Sequence, residues 1–296
     1  MKLSIAVTNY SWAGGESGIA PQLLELARTV DEARLDTLWV ADHLLQMDPT
    51  ASVDEPMLEA YTTLGFIAAA TTGVQLGAMV TWATIRPPAL VVKIVTTLDV
   101  LSGGRAWLGV GAGYQADEAA MIGLPFEPTP ERFSRLEELL QLAAHMWDGD
   151  PRPFDGPHHR LAAPVNDPSP VSRPRVLVGG MGERRTLPLV ARYADACNLF
   201  DIPDGGATLR HKLDVLVRAC DAIGRNPDDI EVTLSSRLAP GETPGQFTDR
   251  CGRLADTGVE HVVLVTTGPW HAGGDLDVVL DAVGTVGPIR SGRLCA

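Results

Sequence analysis

The feature that most constrains this chain is an alternation of two kinds of segment. Short apolar runs rich in β-branched and aromatic residues alternate with longer stretches of helical spacing, eight times over. The runs are KLSIAV (2–7), TLWVA (37–41), VQLGAMVT (74–81), RAWLGV (105–110), RVLVGG (175–180), ACNLF (196–200), DIEVTLSS (229–236) and EHVVLVT (260–266). Helices are predicted over 21–33, opened by Pro21, and over 56–70, 88–101, 183–194, 207–223, 244–257 and 275–283. The clearest one lies before Trp147, with Thr129 as its cap, Pro130 at its first position, and Phe133, Leu136, Leu140, Ala144 and Trp147 in one stripe. Eight units in 296 residues take 37 residues each. That is the length of a strand, a crossover helix and two loops. Most runs are continuously apolar, as parallel strands buried on both faces must be. The pattern predicts an α/β chain, one (β/α)₈ barrel over residues 1–296, with a Pro-, Gly- and His-rich loop excursion at 149–174. A doubly wound open sheet is the structural alternative.

The charge balance narrows the partners. Lys+Arg 24 against Asp+Glu 37 leaves −13, with a pI near 4.9. A duplex-binding or membrane-surface protein wants a basic face, so neither partner is expected. Residues 60–85 carry no charge, but Thr71-Thr72-Gly73 divides them. They read as a buried helix, a turn and a buried strand rather than a membrane span. The four cysteines, Cys197, Cys220, Cys251 and Cys295, form no CxxC and read as reduced thiols. With no signal-peptide pattern at the start, a cytoplasmic location is expected.

In such a barrel the active site lies at the C-terminal ends of the strands. Asp42-His43 follows the second run, and a histidine there can act as a general acid or base or simply anchor the loop. A metal site is not expected, because no His and carboxylate residues converge at the other strand ends. His158-His159 read as loop residues. Gly109, Gly111 and Gly113 form GxGxG rather than the dinucleotide fingerprint GxGxxG. Glycines here, and at Gly179-Gly180 before Met181, let a backbone approach a flat or anionic ligand. Arg184 and Arg185 at the following helix start add a candidate phosphate seat.

The stretch LGAMVTWATIRPPALVVKIVTTLDVLSGGRAWLGVGAGYQADE (76–118) resembles the signature of the bacterial luciferase-like monooxygenase superfamily. It is most similar to the deazaflavin (coenzyme F-420)-dependent oxidoreductases of actinobacteria. LDTLWVADHL (35–44), PTPERFSRLEELLQLAAHMW (128–147), FDGPHHRL (154–161) and VLVGGMGERRTLPLVARYADACNLF (176–200) fit the same pattern. The similarity covers most of residues 1–225.

The resemblance implies the same barrel, and a bulge after the third strand with a cis peptide at Met79-Val80 that backs the cofactor ring beside Thr81. It implies Asp42 and His43 beside the ring, and Gly111, Ala112 and Gly113 along it. Gly179, Gly180 and Met181 would hold the phosphate-bearing tail, and Asn198 and Phe200 the same edge. F-420 carries a phosphate and an acidic tail, which the net charge of this chain opposes. The family's sugar-phosphate dehydrogenases carry Glu where Tyr114 stands and Trp where Met47 stands. That difference points away from sugar oxidation and toward reduction of an activated C=C or C=N bond by hydride transfer. His43 is the expected proton donor, with Tyr114 second. Tyr10, Trp12, Trp82 and Trp270 would wall the substrate pocket, and Arg237 or His271 would meet an acidic group. Alternatives are an FMN-dependent two-component monooxygenase using O₂ and a non-catalytic cofactor-binding protein. A homodimer is implied by the family.

Overall fold

In a computed structural model, residues 1–48 and 50–292 are described, and they form a closed barrel of eight parallel strands with a helix after each. The first four units are β1 (Lys2–Val7) and α1 (Glu16–Glu32), β2 (Thr37–Val40) and α2 (Ala60–Ala68), β3 (Gln75–Ala78) and α3 (Pro88–Ser102), and β4 (Ala106–Gly111) and α4 (Thr129–Trp147). The others are β5 (Arg175–Gly179) and α5 (Thr186–Tyr193), β6 (Ala196–Phe200) and α6 (Ala207–Asp221), β7 (Glu231–Ser236) and α7 (Pro244–Asp256), and β8 (His261–Val265) and α8 (Asp275–Val286). Each strand pairs with its chain neighbour, and β8 pairs back onto β1 from Lys2 opposite His261 to Ala6 opposite Val265. That last pairing closes the sheet and excludes the doubly wound alternative.

Two hydrophobic layers follow from the alternation of side chains along each strand. The larger lies between strands and helices. The smaller fills the barrel, where Trp39 and Trp107 meet edge to face at 5.6 Å among Ala6, Leu177, Ala196 and Val263. Two indoles fit because glycines, Gly77 and Gly109, face them. A Cβ on Gly77 would lie 2.5 Å from the Trp39 ring. The N-terminal mouth is shut by a polar network from the first residues of the strands. Glu231 accepts from Lys2 (2.9 Å), Arg175 (2.7 Å) and His261 Nδ1 (2.9 Å), and His261 Nε2 meets Ser4 Oγ at 2.5 Å.

Several local expectations are corrected. Pro21 does not open α1. The helix begins at Glu16, directly after the positive-φ Gly14 and Gly15, because its buried stripe already starts at Ile19. Thr129 does not cap α4. Pro128, with φ −55° and ψ 148°, is the cap residue, and the Thr129 hydroxyl accepts from Arg132 instead. The third run is interrupted: β3 stops at Ala78, a cis Met79-Val80 peptide follows, and Thr81–Trp82 resumes pairing against β4. The 149–174 excursion holds a small hairpin, Phe154–Asp155 with Arg160–Leu161. It is pinned to α4 by Glu138, which accepts from the backbones of His158 and His159 and from His159 Nδ1. Cys197, Cys220 and Cys251 are buried thiols, and Cys295 lies outside the described residues. No helix among the described residues is long and apolar enough to cross a membrane.

Candidate active site

A cavity of about 1190 Å³ opens at the C-terminal ends of the strands. It exceeds the roughly 300–1,000 Å³ of a typical ligand site, leaving room for a tricyclic ring and a small second molecule. Its lining includes the bulge after β3 and the glycines of β4 and β5. Val80 projects from the bulge after β3, and its methyl groups stand 2.9 Å from where a Cβ on Gly111 and another on Gly179 would lie. These glycines therefore admit the bulge, and through it shape the floor. Gly113, at φ +74°, is needed twice over, since a Cβ there would fall 1.9 Å from Trp82 Nε1.

At one edge of this floor lie Asp42 and His43, on the loop leaving β2. The Asp42 carboxylate is buried and takes the Arg86 guanidinium in a two-pronged pair, at 2.7 and 2.8 Å. Arg86 also reaches Glu59 at 2.7 Å. Burial alone would lower the Arg86 pKa, but the two carboxylates raise it above its ordinary value. Asp42 is thus a neutralised wall element with both oxygens engaged. His43 Nδ1 meets Glu118 Oε2 at 2.7 Å. Glu118 lies fully buried on a short helix (Ala116–Met121) after β4, and its Oε1 accepts from Leu44 N at 2.6 Å and Leu45 N at 3.2 Å. Burial would push this carboxyl up; the bonds from His43, Leu44 and Leu45 outweigh burial and hold it below its usual value. Tyr114 stands edge-on to His43, ring centres 6.2 Å apart, with its phenol raised by burial and then by the Glu118 charge. That phenol is neutral at pH 7.

On the opposite edge Asn198 lines the cavity with both amide ends engaged, donating to Thr233 Oγ1 at 2.9 Å and accepting from Ser235 Oγ at 3.0 Å. Arg250 is locked by Glu242, Asp201 and Ser236. Arg237 donates to Thr267 Oγ1 at 2.8 Å.

The cavity gathers most of the expected residues: Asp42, His43, Met79, Val80, Gly111, Ala112, Gly113, Gly179, Gly180, Asn198 and Phe200, with Tyr114, Trp82 and Arg237. Others fall elsewhere. Thr81 is buried behind the bulge against Tyr61 Oη. Met181 turns back, its Sδ accepting from Phe200 N at 3.5 Å. Tyr10, Trp12 and Trp270 are core rather than pocket wall: Trp12 Nε1 donates to Trp270 O and Trp270 Nε1 to Ala6 O. His271 is exposed and meets Pro269 O. Arg184 and Arg185 line a separate cleft of about 270 Å³ that shares Phe133 with the large cavity. The sequence reading missed Arg86 and Glu118. Both lie inside the stretch 76–118, but their partners are 44 and 75 residues away. Among the described residues no cluster of three or more His, Cys, Asp or Glu could hold a metal ion.

Fold and site place the molecule among the (β/α)₈ barrel enzymes that bind their ligands at the strand C-termini. The chain belongs to the luciferase-like monooxygenase family, whose model matches residues 1–262. It is 31% identical over 245 residues to the F-420-dependent glucose-6-phosphate dehydrogenase of Kineococcus radiotolerans, covering 79% of this chain and 68% of that protein. The enzyme of the same name from Amycolatopsis mediterranei is 30% identical over 227 residues, 73% of this chain and 64% of that protein. The chain thus spans about two thirds of these relatives' length. The barrel superposes on an F-420-dependent secondary alcohol dehydrogenase with TM-score 0.81 at 17% identity, over 98% of this chain and 99% of that one. It also matches an F-420-dependent tetrahydromethanopterin reductase from Methanopyrus kandleri, with TM-score 0.72 at 15% identity, over 98% and 99%.

Proposed function

We propose that the protein is an F-420-dependent oxidoreductase that transfers a hydride to or from a small organic substrate. The observation that carries this reading is the placement of a glycine-bordered floor and a carboxylate-held imidazole at one barrel mouth. The cavity fits the group. Around Val80 the lining is two glycines, Gly111 and Gly179, whose missing side chains let a flat ring approach the backbone. Gly180, at φ +116°, leads to the N-terminus of α5, where backbone N–H groups favour a phosphate. The adjoining cleft with Arg184 and Arg185 is where an acidic tail would meet positive charge. When bound, the deazaflavin supplies the hydride chemistry; the protein supplies orientation and a proton. His43 is the group for the proton, because it lines the cavity while its Nδ1 is held by Glu118.

The substrate in this proposal is an activated C=C or C=N compound rather than a sugar phosphate. Tyr114 and Met47 support it, both lining the cavity where Glu and Trp are expected in the sugar-phosphate enzymes. A homodimer working in the cytoplasm belongs to the same proposal, and sedimentation of the purified chain checks the stoichiometry.

The test uses purified protein. It should quench the fluorescence of oxidised F-420 and leave FMN untouched. Reduced F-420 should be consumed by conjugated enones or cyclic imines. His43→Ala should keep cofactor affinity and lose about 10²-fold or more in kcat. Tight FMN binding with O₂ consumption would overturn the cofactor, and rapid F-420 reduction by glucose-6-phosphate would overturn the substrate class.

A further inference from the structure

We propose that Glu118 is a positioning residue that fixes the proton on His43 Nδ1 and so presents Nε2 to the reacting molecule. This rests on the role assigned to His43 above and says which atom carries it out.

The geometry is specific. Glu118 is fully buried, and its two oxygens are divided between tasks. Oε1 takes the Leu44 and Leu45 N–H groups, which anchor the carboxylate to the backbone that carries His43. Oε2 is left for Nδ1. An ionised carboxylate only accepts, so Nδ1 must carry the hydrogen. A neutral His43 then has its lone pair at Nε2, and a protonated one has its acidic N–H there. The other ionisable groups around the ring do not compete. Asp42 is consumed by Arg86, Arg86 is divided between Asp42 and Glu59, and the Tyr114 phenol is neutral. Glu118 is therefore the one charge near the ring, among the described residues, that directly hydrogen-bonds it.

Hydride addition to a C=C or C=N bond leaves an electron pair on the neighbouring carbon or nitrogen. The Nε2–H bond then breaks, its electrons stay on the ring, and the proton joins that atom. The hydrogen on Nδ1 stays there, hydrogen-bonded to Glu118 throughout, and the ring ends neutral in the same tautomer. In the opposite direction Nε2 accepts the proton.

Glu118→Gln separates this from a purely structural role. The carbonyl of the substituted amide would keep the Leu44 and Leu45 bonds and turn its NH₂ toward Nδ1, which must then accept. The neutral ring is forced into the opposite tautomer with little change in shape. Nitrogen-15 NMR of the full-length chain without cofactor reads this directly. The expected result is Nδ1–H in the natural protein and Nε2–H in Glu118→Gln. With cofactor, Glu118→Gln should lose at least about tenfold in kcat with KM and cofactor affinity nearly unchanged. Its pH profile should be displaced, and Glu118→Asp should restore part of the rate. The same tautomer in both proteins would overturn the proposal. The NMR readout needs no turnover, so it fails or succeeds apart from the choice of cofactor. His43→Ala turning over at the full rate would instead remove the reading on which the proposal rests.

Discussion

The Val80 side chain occupies the space that a Cβ on Gly111 would need, 2.9 Å from its Cγ2. One strand's bulge is thereby fitted into its neighbour's missing side chain. Gly111→Ala should overpack this contact, at about 1–3 kcal/mol, and push the floor into the ring space. The expected result is a lower Tm and a cofactor Kd raised at least tenfold. Adding Val80→Ala should recover much of both. A double-mutant cycle in which the two changes simply add would show that the contact is not the cause.

Asp42 and Arg86 should respond asymmetrically. Arg86→Ala strands a buried carboxylate and should cost about 3–5 kcal/mol. Asp42→Asn leaves an amide that still accepts from the guanidinium, and should cost clearly less. Urea unfolding of the two variants checks the order; equal losses would mean that the wall is held by packing alone.

Acid should act through the network at the N-terminal mouth. Burial pushes the Glu231 carboxyl up, but His261 and Lys2 outweigh it and hold it well below the ordinary range. A folded pKa below the unfolded value of about 4.3 means that the unfolded chain binds the proton more readily. This contribution is therefore fully present above that value and is lost as pH falls below it. Glu231→Gln should lower Tm at pH 7 and flatten its decline between about pH 4.3 and 2. A decline as steep as in the natural protein would move the acid sensitivity to other carboxylates.

Arg184 and Arg185 should matter for the tail and not for the ring. Replacing both with Ser should weaken F-420 binding a few-fold, about 0.2–1 kcal/mol for each exposed charge. The loss should shrink at about 0.5 M salt, where charges are screened within a few ångströms. A salt-independent loss in fluorescence titrations would point to a disturbed α5 instead.

Much of this site could be read from the chain because its signals are local. Strand ends, the glycines around the bulge and the Asp42-His43 pair are each short patterns, and the barrel brings them to one mouth. The errors have a common physical origin. Tyr10, Trp12 and Trp270 stand near strand ends, yet they belong to the buried core and not to the cavity wall. Which way a ring turns there depends on partners such as Ala6 O, which only strand closure supplies.

The sequence by itself determined eight parallel strand–helix units, because continuous apolar runs alternating with amphipathic helices must bury both sheet faces. That they close into a barrel rather than an open sheet was decided by the pairing of β8 with β1. The sequence also marked the imidazole, while the bulge after the third run was implied only by the family resemblance. Only the tertiary structure decided what those groups are chemically. Buried charges must find partners, and the partners here come from distant elements: Arg86 on Asp42, Glu118 on His43. No local pattern encodes such pairs. They exist because the closed sheet sets the loops after β2, β3 and β4 side by side.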